Sequence, residues 1–180
     1  MNKYLKNLLV GLTIFAPLTV VHAGTNDWSM VGAACTPTGQ TTAAQSIFNS
    51  AGDVKFAASK IGEIIVTCPV DAQLRRAGYF NISYRDTDGA GTGARVVASL
   101  RRKNLVTGEA VTIGESFDSN THPVVTSYAL SWAAITPCEG ARNFDYSQYA
   151  YYVQVNITRT ATNQEPIFGG VHMDTTNLVC

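Results

Sequence analysis

The chain has 180 residues, 46% of them hydrophobic, with 13 basic and 13 acidic side chains and a formal charge of zero. That length suffices to bury a sizeable core. Balanced charge, carried by only 14% of residues, argues against nucleic acid or an anionic membrane surface as a partner, because both require a basic patch.

Residues 1–23 read as a secretory signal peptide. Lys3 and Lys6 supply a positive start, and an apolar run from Leu8 to Val21 follows, interrupted by Gly11, Thr13, Pro17 and Thr19. Val21-His22-Ala23 ends in the small residue that a signal peptidase accepts, so cleavage is expected after Ala23. The run falls short of the roughly 20 residues that span a bilayer. Cys35 lies too far beyond it to be the lipidated cysteine of a lipoprotein. The expected product is residues 24–180, one domain with no membrane span, secreted or periplasmic and bacterial in style.

Thr42 to Asn49 is the one helix-compatible stretch, with Ala43, Ala44, Ile47 and Phe48 on a common face. From there the pattern alternates with period two. Strands are expected at Val54–Ala57, Gly62–Val70, Gly78–Arg85, Arg95–Lys103, Ala110–Phe117, Val124–Ile135, Tyr149–Arg159 and Pro166–Asp174. Ile64, Val66 and Cys68 share one face, as do Phe80, Ile82 and Tyr84, then Val96, Ala98 and Leu100. In the long strand near the end, Tyr149, Tyr151, Val153, Val155 and Ile157 oppose Tyr152, Gln154, Asn156 and Thr158. Strict alternation means one buried and one wet face. The segments Asp86–Gly93, Asn104–Gly108 and Asp118–Pro123 carry turn chemistry. About eight such strands predict an all-β antiparallel sandwich of jelly-roll type, with an immunoglobulin-like sandwich as the alternative.

Four cysteines follow the signal: Cys35, Cys68, Cys138 and Cys180. An even number in an exported chain implies two disulfides. Of the three possible pairings, Cys35–Cys68 with Cys138–Cys180 is expected, because the first bridge pins a loose N-terminal segment to a strong strand. Cys138–Cys180 ties down the last residue. Early Cys35 followed by Ile64-Ile65-Val66-Thr67-Cys68 resembles the opening of pilin and spore-coat-type β-sandwich subunits, in which an early cysteine pairs with one ending an apolar strand. Cys138, Cys180 and the C-terminal end depart from that pattern.

Chemistry-bearing residues are sparse. Asp86-Thr-Asp88-Gly89 is a candidate calcium loop, because clustered carboxylates suit a hard cation, and Asp118 or Asp145 could join it; Asp-Gly is equally ordinary turn chemistry. Tyr152, Trp28 and Trp132 are candidate stacking surfaces for sugar rings, while Tyr149 and Tyr151 belong with the core. His172 and Asp174 share a strand face. Seven bases between Asp71 and Lys103, against three acids, suit either strands that pair opposite charges or a basic patch. No nucleophile elbow, His-Glu-x-x-His or phosphate loop is present. These residues point to an exported, non-enzymatic β-sandwich for binding or surface structure, with a glycan or a surface protein as partner. A secreted hydrolase with a carboxylate or metal site is one alternative, and a subunit of an extracellular assembly is another.

Overall fold

The computed structural model describes residues 27–38, 46–48, 51–135 and 142–173. Among these residues lie thirteen strands. They are β1 (Trp28–Val31), β2 (Thr36–Thr38), β3 (Ser46–Phe48), β4 (Val54–Phe56), β5 (Gly62–Pro69), β6 (Arg76–Ala77), β7 (Tyr79–Asp86), β8 (Ala94–Asn104), β9 (Ala110–Asp118), β10 (Val125–Ala134), β11 (Arg142–Asn143), β12 (Tyr149–Arg159) and β13 (Ile167–Met173). Single 3-10 turns occupy Gly32–Ala34 and Ser119–Thr121. No helix is long and apolar enough to cross a membrane among the described residues.

All ladders are antiparallel. One sheet runs β10-β7-β13-β4-β3, with β1 also paired to β13; the other runs β2-β5-β12-β8-β9, and β6 and β11 form a small pair. Along the chain β4, β7, β10 and β13 fall in the first sheet, and β5, β8, β9 and β12 in the second. Every connection between consecutive long strands therefore crosses from one sheet to the other, except the β8–β9 hairpin. That interleaving is the jelly roll rather than the immunoglobulin arrangement.

The core follows from the alternation. Ile64, Val66 and Cys68, Phe80, Ile82 and Tyr84, Val96, Ala98 and Leu100, and Val153, Val155 and Ile157 all point inward and are buried. They form one cluster to which both sheets contribute. The Tyr84 and Phe117 rings meet across it at 4.8 Å between centroids. Tyr151 is buried and stacks on Phe144 at 4.5 Å, whereas Tyr149 lies half-buried at the margin under Arg102.

Cys35 and Cys68 form the expected disulfide. It joins the start of β2 to β5, against which β2 already pairs. Cys138 and Cys180 lie outside the described residues. The helix expected over Thr42–Asn49 is corrected where it is described: Ser46–Phe48 is a strand paired antiparallel with β4. A two-turn helix has too few internal hydrogen bonds to outweigh a sheet edge that offers partners. Opposite charges pair across neighbouring strands in Arg95 with Asp118, and Glu165, in the loop just before β13, pairs with both Lys55 and Arg85.

Candidate functional site

β10 reverses the usual sense of an amphipathic strand. Its small residues Ala129, Ser131 and Ala133 stand opposite Tyr84, Ile82 and Phe80 of β7, on the core side. Its large residues point the other way, leaving Tyr128 50%, Leu130 71% and Trp132 55% exposed. The core is already filled there by the large β7 side chains, so only small partners fit beneath β10.

Register carries this face across the sheet in two rows. Trp132 lies beside Asn81, which lies beside His172, which lies beside Ser29. Leu130 lies beside Ser83, then Gly170, then Val31. The rows enclose an open groove of about 220 Å³ whose lining includes Ser29, Val31, Asn81, Ser83, Leu130 and His172. Leu130 and Val31 form apolar walls, and Gly170 leaves the floor low between them. Hydroxyl, amide and imidazole groups supply donors and acceptors along the floor.

Tyr128 is held in place at one end of this face. Its hydroxyl donates to Asp53 Oδ2. Its ring comes close over Gly169, where an added Cβ would sit 3.3 Å from Tyr128 Cε1 and 2.9 Å from Ser83 Oγ. Burial of the hydroxyl, then the Asp53 hydrogen bond, push its pKa up to about 12. Close by, the Glu165 carboxylate binds Arg85 at 2.9 Å and Lys55 at 3.3 Å.

The candidate stacking residues thus separate. Trp132 is on the exposed face. Trp28 is 7% exposed and belongs to the core, so it offers no ring to a ligand: β1 lies against β13 and turns this side chain inward. Tyr152 is half-buried on the outer face of the other sheet, between Pro69 and Arg101. Trp132 and Tyr152 therefore face opposite sides of the molecule. Leu130 and Tyr128 are the members missing from the sequence reading; their signal was the alternation of Tyr128, Leu130 and Trp132 with small residues, which by itself leaves open which set is inside.

The Asp86–Asp88 loop is closed by its own backbone. Asp86 is fully buried; its carboxylate accepts from Ser119 Oγ at 2.5 Å and from the Asp88 amide at 3.2 Å. Asp88 accepts from the Gly93 and Ala94 amides at 2.6 and 3.2 Å. Asp118 is taken up by Arg95, and Asp145 lies at the opposite end of the sandwich, beside the start of β12. Among the described residues no group of three or more His, Cys, Asp or Glu is gathered to hold a metal ion. His172 lies on the groove, and Asp174 is outside the described residues.

No protein-family model and no curated protein matches this chain. Solved structures that resemble it include a xylan-binding module, CBM15, at 13% identity and a TM-score of 0.48, covering 87% of this chain and 100% of that one. The CBM36-1 domain of a multidomain xylanase from the hindgut metagenome of Trinervitermes trinervoides has 13% identity and a TM-score of 0.43, covering 85% and 100%. A family two carbohydrate esterase from Cellvibrio japonicus has 6% identity and a TM-score of 0.41; the match covers 85% of this chain but spans only 35% of the esterase's length. Function has to be read from this chain's own surface.

Proposed function

We propose that this chain is an exported glycan-binding protein without catalytic activity, and that the outer face of the six-stranded sheet is its binding surface. The observation that carries the reading is the inverted strand β10, which places Tyr128, Leu130 and Trp132 in solvent on one face. Exposed large apolar groups in a row mark interaction sites rather than ordinary surface. The row borders a groove lined by Asn81, Ser83, Ser29 and His172. A pyranose ring has the matching chemistry: an apolar C–H face for the Trp132 indole and a rim of hydroxyls for the polar groups. None of these polar groups is a carboxylate, lysine or arginine, and the nearby Arg85 and Lys55 are engaged by Glu165. The surface suits a neutral sugar chain better than a uronic or sulfated one.

Calorimetric titration with soluble neutral and acidic polysaccharides tests this. Binding to a neutral polysaccharide is expected, and Trp132→Ala should weaken it by about 30-fold, the effect of losing about 2 kcal/mol from a central aromatic contact. Tyr152→Ala, on the opposite face, should leave it unchanged. Trp132→Ala binding as tightly as the parent, or no polysaccharide binding at all, would sink the reading.

A further inference from the structure

β10 is the end strand of its sheet among the described residues. Edge strands usually carry charges or proline that deter pairing with another chain. Here, from Val124 to Ile135, there is no charged residue, proline or glycine. The ladder with β7 is regular from Ala129 to Ala134; the irregularity lies before it, between Val125 and Ala129. At the far end Gly114 of β9 closes against Ala134 and Ile135. A straight, uncharged stretch from Ala129 to Ala133 is left on the edge.

We propose that this stretch pairs antiparallel with the same stretch of a second copy, about a two-fold axis through Ser131. The sequence is self-complementary about that residue. Leu130 comes opposite Trp132 of the other copy, twice, on the outer face. Ala129 comes opposite Ala133, twice, and Ser131, whose hydroxyl is hydrogen-bonded to His122 Nε2 of its own chain at 2.8 Å, lies opposite its own counterpart, on the inner face. Large residues thus meet large ones and small meet small, and no charge faces a charge. The axis is perpendicular to the sheet, so both outer faces lie on the same side of one continuous sheet. The occupant is a second copy rather than a foreign strand because neutrality and size match position by position under this operation. The pairing uses backbone groups at the edge and sets Leu130 against Trp132 on the outer face, beside the proposed glycan surface. Sedimentation without any glycan reads it apart from the glycan reading, while a dimer would offer a repeating polysaccharide two surfaces at once.

Sedimentation analysis of the protein recovered from its export compartment, over a range of concentrations, tests the pairing together with two cysteine variants. The expected result is a reversible dimer. Ser131→Cys should form a covalent dimer on a non-reducing gel, because paired residues in an antiparallel ladder lie about 4.5–5.5 Å apart at Cα, within reach of a disulfide. Ser127→Cys, displaced from the axis, should not. Leu130→Lys should weaken dimerisation at least about tenfold while its melting temperature at high dilution matches the parent, since an exposed lysine costs a monomer little. A monomer at every concentration overturns the proposal, and so does a dimer that ignores Leu130→Lys and leaves Ser131→Cys uncoupled.

Discussion

The hydroxyl of Ser119 donates a 2.5 Å hydrogen bond to the carboxylate of Asp86, and its oxygen accepts from the Val96 amide at 2.8 Å. One buried hydroxyl thereby ties the end of β7 to β8 and to the turn after β9.

The Asp86 carboxyl is held above its ordinary pKa of 3.8, chiefly because burial disfavours its charged form. Its ionisation therefore works against the fold. The penalty is absent below the ordinary carboxylate range and grows as pH rises from there toward the raised value. Asp86→Asn removes that penalty and keeps a side chain able to bond Ser119. The variant should lose least, relative to the parent, near neutrality, and compare progressively worse as pH falls toward about 3. Thermal melts of both proteins across this range check it; a pH-independent gap would contradict the assignment. Added calcium should leave the parent melt unchanged, since Asp86 and Asp88 already serve Ser119 and backbone amides.

Asp118 shows the opposite sign. The Arg95 guanidinium grips it through two bonds, at 2.9 and 2.5 Å, and holds its pKa below 3.8. Its contribution is present above the ordinary range and is lost as pH falls through the lowered value. Because Arg95 is half exposed, solvent screens the pair. Arg95→Ala should cost no more than about 1 kcal/mol at neutral pH and less at high salt. Chemical denaturation at two ionic strengths measures both effects.

The Cys35–Cys68 bridge closes a separation of 33 residues. Its removal should cost about 3–4 kcal/mol in the chain-entropy model. The loss should appear first in β1 and β2, the short strands it anchors, as faster amide exchange there than in β12. Uniform exchange after the Cys68→Ala, Cys35→Ala double substitution would argue that β2 holds without the bridge.

Trp28 and Trp132 make a matched pair of tests. Trp28→Ala empties a buried site and should destabilise by about 3–5 kcal/mol. Trp132→Ala removes an exposed ring and should shift stability by no more than about 0.5 kcal/mol while affecting ligand binding. Denaturant midpoints for the two variants in the same buffer decide it.

Gly114 has φ +73°, and a Cβ there would lie 2.4 Å from the Ala134 carbonyl oxygen. It forms the irregularity between the Ser99 and Arg101 pairings, where β9 bends toward the end of β10. Gly114→Ala should cost about 2 kcal/mol or more, from backbone strain and collision together. An unchanged melting temperature would show that β9 can move away from β10.

Much of the core between the two sheets is legible in the sequence. In β5, β7, β8 and β12 the apolar set is large and the opposing set polar, so period two alone tells inside from outside. β10 is not legible in that way. Its outer residues are large and apolar and its inner ones, Ala129, Ser131 and Ala133, are small, so no contrast of apolar against polar tells inside from outside. The short strands β1, β2, β3, β6 and β11 also escape, because two to four residues carry too little periodicity and exist only through the strands they pair with. The carboxylates of Asp86 and Asp88 look alike in sequence whether they turn a loop or hold a cation, and what separates the two roles is the position of amides and of Ser119 in space.

Sequence alone determined the all-β character, the alternation of the long strands and a workable partner for Cys35. Those properties are local, or nearly so: they depend on the chemistry of residues two positions apart and on which segments can pair. Tertiary structure alone decided which tryptophan is core and which is surface. Trp28 and Trp132 carry the same side chain, yet β1 is laid against β13 with its indole inward, while β10 is laid over the large residues of β7 and must turn its indole out. Volume in a close-packed interior is filled by whichever strand arrives with the fitting shape, and that competition is settled between segments far apart in the chain.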